Sequence, residues 1–92
     1  MVFLITYDLK TPNDTPDDYL RVINCIKEFK TWCHIEESVW LIETALNAGE
    51  IRDYVRRFIS ADSVLFVARL QGNWASWALC SERNDWLKVR TF

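Results

Sequence analysis

One carboxylate follows an apolar run near the N terminus of this chain. The run reads Val2-Phe3-Leu4-Ile5-Thr6-Tyr7, and Asp8 comes next. Burying an ionised carboxylate without a partner is very costly, and aspartate is depleted from strands. Asp8 is therefore either a turn residue that bonds loop amides just past a strand, or an acid held there for chemistry.

Two other polar residues are candidates for the same chemistry. His34 is the only histidine of the chain, and it can act as an acid or a base near neutral pH. Ser38 can orient a water or a phosphate. Each has a structural alternative, because a lone histidine on a strand and a serine on an inner sheet face are common without any function. The candidate catalytic residues are Asp8, His34 and Ser38.

The three cysteines, Cys25, Cys33 and Cys80, are odd in number and lack metal-ligand spacing. We expect free thiols in a reducing cytosol. Thiol catalysis is disfavoured, because Cys33 and His34 are sequence neighbours and neighbours on a strand point to opposite faces.

The composition is that of one small globular domain. The chain has 92 residues, too few for two cores, and half of them are apolar. No apolar run approaches a membrane span and the N terminus lacks the features of a signal peptide, so we expect a cytoplasmic protein without membrane contact. The net charge of −2 argues against a strong nucleic-acid binder. It leaves open a nuclease that reaches phosphates through a bound metal.

The first elements are a strand and a helix. Residues 2–9 are apolar on both faces, which is typical of a central strand. A loop is expected over residues 10–14, followed by an amphipathic helix over residues 15–30. Thr15 can cap this helix, and Pro16 suits its first position.

A β-rich segment follows over residues 32–44. The paired acids Glu36 and Glu37 interrupt its alternation and mark either a bulge or a tight reversal between two strands. Next, Asn47 and Glu50 have the spacing of a capping box, which predicts the start of a second helix.

The last elements are a buried strand over residues 64–70 and a short helix over residues 82–88 that Ser81 is expected to cap. The order of elements predicts an α+β fold, the ferredoxin-like βαββαβ sandwich, with the helices on one face of an antiparallel sheet. The other face is still apolar, so it needs a partner or the C-terminal tail as a cover.

Residues 1–92 are expected to form one domain, with a core over residues 1–70 and a tryptophan-rich extension over residues 71–92 at a dimer interface.

Within this domain, short motifs occur in a defined order. They are Thr6-Tyr7-Asp8-Leu9, Trp32 with His34, Trp40-Leu41-Ile42, Ile51-Arg52, and Gly72 with Trp74-Ala75 and Trp77. Over residues 2–78 the chain resembles Cas-two, the small CRISPR-associated adaptation protein, and its VapD-related relatives, with the short SinR-like proteins as the nearest group.

The resemblance implies a ferredoxin-like domain that forms a homodimer by packing its sheets. In the Cas-two family the aspartate equivalent to Asp8 comes from each protomer and holds a divalent metal near the two-fold axis. Some members are metal-dependent nucleases of RNA or DNA, and VapD-type toxins on the same scaffold cleave RNA. Others act without catalysis, as a bridge that holds DNA for an integrase. Paired Asp8 carboxylates with waters would suit Mg²⁺ or Mn²⁺, which prefer octahedral oxygen coordination.

The chain departs from the family in two segments. Cas-two proteins usually follow the aspartate with a basic stretch, whereas residues 13–18 here are rich in aspartate. This argues against a phosphate-binding surface beside Asp8. The tryptophan-rich tail is also unlike the usual terminus, and a role in CRISPR is not expected.

Five further residues are candidates for contact with nucleic acid or with a partner. They are Tyr7, Trp40, Arg69, Trp74 and Trp77. Tryptophan can stack on bases, but it is also enriched at protein interfaces, and arginine can meet phosphates or stay on a charged surface.

The residues and the resemblance together imply two alternative functions. The first is a homodimeric, Mg²⁺- or Mn²⁺-dependent endonuclease of RNA or DNA that works through paired Asp8. The second is a non-catalytic dimeric adaptor that binds another protein. The acidic charge favours the second function, and the resemblance partly favours the first.

Overall fold

The computed structural model describes residues 1–10 and 16–92. Within them the chain forms four strands and three α-helices, and a single 3-10 turn, Arg56–Phe58, follows the second helix. The elements are β1 Val2–Asp8, α1 Pro16–Ile26, β2 Thr31–Glu36, β3 Val39–Glu43, α2 Ala48–Val55, β4 Val64–Arg69 and α3 Ser81–Lys88.

The four strands form one antiparallel sheet in the order β2-β3-β1-β4. β1 pairs with β3, where Thr6 lies opposite Val39, and with β4, where Asp8 lies opposite Val64. β1 is therefore central, as its two apolar faces predict. The α+β class and the antiparallel sheet are confirmed, and the arrangement is compatible with a ferredoxin-like fold.

The first helix is shorter than predicted. α1 ends at Ile26, because the next turns tighten: the backbone N–H groups of Glu28 and Phe29 donate to carbonyls only three residues back. Such bonds end a regular α-helix. The predicted cap Thr15 and most of the predicted loop lie outside the described residues.

Both predicted alternatives, a bulge and a reversal between two strands, occur at Glu36 and Glu37. The pairing of β2 with β3 shifts between His34 and Glu36, and the chain then reverses at Glu37 and Ser38. Glu37 has a φ of 25°, on the left-handed side that non-glycine residues rarely adopt.

The capping box of α2 is confirmed. Asn47 Oδ1 accepts from the backbone N–H of Glu50 at 2.8 Å, and Glu50 Oε1 accepts from the N–H of Asn47 at 3.1 Å. The predicted cap of α3 is wrong by one residue. Cys80 occupies the N-cap position, with no side-chain capping bond in the described part of the chain, and Ser81 is the first helical residue.

Helices α1 and α2 cover one face of the sheet, which we call the helix face. Alternate residues of β1, namely Phe3, Ile5 and Tyr7, pack there against both helices. The helices contribute Val22, Cys25, Ile26, Ile51 and Val55, all of them buried. This layer is the larger part of the core.

The C-terminal segment covers part of the opposite face, which we call the tail face. Leu87 of α3 is buried against Val2, Cys33 and Leu41. The partly buried Leu79, Trp86 and Phe92 pack around them. A partner and the C-terminal tail were the two predicted covers of this face. The structure shows that the tail covers part of it.

Arg90 fastens this tail to the sheet. Its Nη2 donates to Thr31 Oγ1 at 2.9 Å and its Nη1 donates to the carbonyl of Trp86 at 2.6 Å. The guanidinium also lies 3.6 Å from the centroid of the Trp86 ring, and Nε lies 3.5 Å from a carboxylate oxygen of Glu43. One side chain therefore links α3 to both β2 and β3.

The tail does not cover β4. Leu65 and Val67 pack on the helix face, so Val64 and Phe66 point to the tail face. Each of these two side chains is 57% exposed. We call Val64 and Phe66 the open strip.

Replacing Leu87 with alanine is expected to destabilise the protein by about 2–5 kcal/mol, because it leaves a cavity between α3 and the sheet. The matched control is Val89→Ala, since Val89 is 80% exposed and its truncation should change the free energy of unfolding by less than about 0.5 kcal/mol. Urea denaturation followed by circular dichroism measures both values. Equal effects of the two substitutions would contradict the docking of the tail on its own sheet.

Candidate functional site

Asp8 lies at the end of β1 with its side chain on the tail face and in solvent. Its Oδ2 is 3.1 Å from the Nζ of Lys10. An exposed ion pair of this kind contributes at most about 1 kcal/mol, so it opposes a competing ligand only weakly. The carboxylate avoids the cost of burial and remains available.

The nearest strand neighbours of Asp8 are apolar. Asp8 lies opposite Val64, and Thr6, two residues earlier on the same face, lies opposite Phe66. The carboxylate therefore stands beside the open strip. Among the described residues no group of three or more histidine, cysteine, aspartate or glutamate side chains is placed to hold a metal. One chain thus presents Asp8 as a single carboxylate rather than as a complete metal site.

His34 is not brought to Asp8. Its ring stacks on Trp40 at 4.1 Å with an angle of 10° between the planes, and Trp40 belongs to the core of the helix face. A carbonyl oxygen can only accept, so His34 Nε2 donates to the backbone oxygen of Glu37 at 2.7 Å. The sheet therefore separates His34 from Asp8.

Ser38 lies in the reversal between β2 and β3, half-buried. Because Thr6 pairs with Val39, this reversal is at the same end of the sheet as Asp8. Of the three predicted catalytic residues, Asp8 and Ser38 thus share an end of the sheet. His34 lies on the helix face, opposite to the face of Asp8.

Tyr7 and Trp40 are core residues. Both are buried on the helix face, and Trp40 Nε1 donates to Tyr7 Oη at 3.2 Å. Burial raises the pKa of Tyr7 above its ordinary value, and the bond from Trp40 partly offsets this rise. Tyr7 is therefore not presented to a nucleic acid, whereas Trp40, although buried, reaches the lining of a cleft at the edge of β2.

Arg69 is the last residue of β4, and Trp74 and Trp77 belong to the tail. Arg69 is exposed and pairs with Phe3, five residues from Asp8 along β1, or about 17 Å. Trp74 lies beside Phe92, with 6.5 Å between ring centroids, and Trp77 is 95% exposed. Arg69 is therefore on the face opposite Asp8, whereas Trp74 lies on the tail face beside Leu4 and Val39.

The cysteines are free thiols, as predicted. Cys25 and Cys33 are buried, and Cys80 is exposed. Burial is the main reason why the pKa of Cys25 rises to about 12, and Glu28 adds to the rise. Burial also raises the pKa of Cys33. Both buried thiols are therefore protonated at neutral pH and unsuited to nucleophilic catalysis.

A cleft at the outer edge of β2 was not predicted from the sequence. Its volume is about 390 Å³, and Trp32 and His34 of β2 lie in it together with Arg83 and Trp86 of α3. The sequence offers one indication, because Trp32 and His34 share a face of a strand. Arg83 and Trp86 reach the cleft only because the tail folds back on the sheet.

No family model matches the sequence, and no curated protein matches it either. Across residues 1–10 and 16–92, no helix is long and apolar enough to span a bilayer. The geometry of the chain itself therefore has to support a function.

Only Cys80 is expected to react quickly with a thiol reagent in the native protein at pH 8, because Cys25 and Cys33 are buried and protonated. Unfolding in urea should release both buried thiols. The colour yield of Ellman's reagent counts them, and Cys80→Ser is the control that removes the fast phase. Two fast thiols in the native protein would contradict this assignment.

The raised pKa of Cys25 also makes the free energy of unfolding depend on pH. The folded pKa of Cys25 is about 12, above its ordinary value of 9.0. The stabilisation that the protonated Cys25 thiol gives to the folded state is therefore fully present below pH 9. The free energy of unfolding of Cys80→Ser should therefore fall as the pH rises from 9 towards 12. A further Cys25→Ala change should remove this part of the decline.

Proposed function

We propose that this chain is a homodimeric, ferredoxin-like relative of Cas-two that cleaves phosphodiester bonds of RNA or DNA in the cytoplasm, with Mg²⁺ or Mn²⁺ held by paired Asp8 carboxylates. One observation carries the proposal: Asp8 is an exposed carboxylate directly beside the open strip. An acid next to an uncovered apolar surface is what a metal site shared by two copies requires.

The open strip supports association of two copies. Val64 and Phe66 expose most of their side chains on a sheet face whose other half is covered by the tail. In a two-fold dimer the same patch meets itself, so each Asp8 would approach the axis together with Val64, its pairing neighbour. Burial of two valines and two phenylalanines would provide the driving force.

The donor set fits the proposed metal. Mg²⁺ keeps several waters and is commonly bound by one or two carboxylates together with substrate phosphates. Two Asp8 side chains would supply this set, and neither has to be stripped of a buried partner. When bound, the metal would supply an activated water and stabilise negative charge on the phosphate. Lys10, released from its pair with Asp8, would then be free to contact the phosphate.

The strand order supports the ferredoxin-like assignment. A βαββαβ chain with β1 at the centre, both helices on one face and the order β2-β3-β1-β4 is the arrangement that this fold has. The extra helix α3 lies outside this plan.

A non-catalytic dimeric adaptor is the second candidate. The observation that favours it is the position of His34, on the face opposite Asp8 and engaged with Trp40 and Glu37. Asp8 then has Lys10 beside it but no histidine, the most common general acid or base, and this makes it a weak catalytic centre. In this case the same dimer would bind a protein partner and would not cleave nucleic acid.

Asp8→Asn is expected to weaken Mn²⁺ binding at least tenfold, since even loss of a group that only orients a metal ligand costs about 10–100-fold. Titration followed by electron paramagnetic resonance measures free Mn²⁺. Asp85→Asn is the control, because Asp85 is an exposed aspartate on α3. Cleavage of RNA and DNA should be lost in Asp8→Asn and kept in Asp85→Asn. Unchanged cleavage in Asp8→Asn would exclude a nuclease that works through paired Asp8. A dimer without cleavage under any metal would favour the adaptor.

Phe66→Lys is expected to convert the dimer to a monomer, because it places two like charges at the centre of the apolar contact. Light scattering after size exclusion should show the mass fall by half. Leu20→Lys is the matched control, since Leu20 is another exposed large apolar side chain, on α1 and not on the sheet. A wild-type monomer, or a dimer that survives Phe66→Lys, would contradict the proposed interface.

A further inference from the structure

The cleft along the outer edge of β2 combines aromatic rings with cations. Its volume of about 390 Å³ is within the usual range of small-ligand sites. The side chains that define it come from the turn after α1, from β2 and β3, and from α3. They are Lys27, Trp32, His34, Trp40, Arg83 and Trp86.

The rings form a supported platform. His34 stacks on Trp40, and Trp32 meets Trp40 at an angle of 60° with 5.5 Å between centroids. An inclined contact covers less of a ring than a stacked one, and Trp32 remains 38% exposed. Trp32 therefore contacts the core through Trp40 and keeps part of its surface exposed in the cleft.

Trp86, which α3 contributes to the cleft, is also held in place. Its Nε1 donates to Thr31 Oγ1 at 2.9 Å, and the guanidinium of Arg90 stacks on its ring. Both tryptophans therefore have restricted orientations before any ligand arrives. A preorganised ring loses less entropy on binding than a free one.

The cations of the cleft have donors to spare. Lys27 Nζ lies 5.0 Å from the centroid of Trp32 and 5.9 Å from that of Trp40. Arg83 Nη1 donates to the carbonyl of Ile35 at 3.3 Å, and a guanidinium has five N–H donors in all. Glu82 is the one acidic side chain among the described residues of the lining. The cleft is therefore locally cationic in a chain whose net charge is −2.

We propose that this cleft binds a nucleotide unit, with the base stacked on Trp32 and the phosphate held by Lys27 and Arg83. Flat π-systems stack on tryptophan without sequence preference, and the nearby cations select an anionic substituent. A free nucleotide and a unit of single-stranded RNA share this chemistry. The site is independent of the proposed function: β2 is two strands from β1, about 10 Å away, and Trp32 lies on the helix face whereas Asp8 lies on the tail face.

The direct test follows the indole N–H signals of the five tryptophans in proton–nitrogen spectra, in buffer with EDTA. Adenosine monophosphate is the probe, and Trp32→Phe identifies the Trp32 signal. The Trp32 and Trp86 signals should shift with the probe and the Trp77 signal should stay. Adenosine and inorganic phosphate should each bind more weakly than the monophosphate. A Trp32 signal unmoved at about 10 mM probe, where even a millimolar site is mostly filled, would overturn the proposal.

Variants test the two halves of the site separately. Trp32→Ala should weaken binding of the monophosphate by about 5- to 140-fold, the loss expected for one base stacked on an aromatic ring. Trp77→Ala is the matched control and should leave binding unchanged. Lys27→Gln should reduce the salt dependence of oligoadenylate binding by about 0.7 in the logarithmic slope, and Lys88→Gln should not. Equal effects of Trp32→Ala and Trp77→Ala would place binding outside the cleft.

The two sources of the ligand are separated by comparing the monophosphate with an oligoadenylate of about eight nucleotides. Tighter, Trp32-dependent binding of the oligomer assigns the cleft to single-stranded nucleic acid, and tighter binding of the monophosphate assigns it to a free nucleotide. All measurements are repeated on Asp8→Asn without metal. Binding kept in that variant shows that the cleft acts whether or not Asp8 holds a metal, and binding lost there would overturn its independence.

Discussion

The structure depends on one constraint: strand β1 is apolar on both faces, so both faces of the sheet need a cover. Phe3, Ile5 and Tyr7 point to the helix face, and Val2 and Leu4 point to the tail face. Burying each large apolar side chain stabilises the protein by about 1.5–3 kcal/mol relative to exposure. A single layer of helices would leave Val2 and Leu4 on the tail face exposed to water. The chain meets the constraint with α1 and α2 on one side and its own C-terminal tail on the other.

The second cover is incomplete, and the candidate chemistry lies where it ends. Leu87 and its neighbours cover the tail-face side chains of β2, β3 and the start of β1. Val64 and Phe66 of β4 remain exposed. Asp8 emerges beside them at the end of β1. A carboxylate in solvent avoids the cost of burial, and the apolar strip beside it is the surface on which the proposed dimer would pack. The packing that stabilises the chain thereby leaves Val64 and Phe66 exposed beside Asp8.

The tail has a second effect, because it forms one wall of the aromatic cleft. Arg90 links α3 to Thr31, and Trp86 donates to the same hydroxyl, so α3 is held along the edge of β2. Arg83 then bonds the carbonyl of Ile35, an edge-strand acceptor that would otherwise face water. Covering a sheet edge protects it from unwanted pairing. Here the cover also brings cations and a tryptophan beside Trp32.

Local patterns in the sequence determined the elements, and tertiary contacts decided how the candidate residues meet. The two apolar faces of residues 2–9 predicted a central strand, and Asn47 with Glu50 predicted the capping box, because both depend on neighbours a few residues apart. The early end of α1 and the cap at Cys80 were missed, since helix ends respond to packing as well as to local propensity. The separation of His34 from Asp8 depends on the register between strands. The fold-back of the tail depends on bonds such as that between Arg90 and Thr31, 59 residues apart, whose energy no local pattern contains.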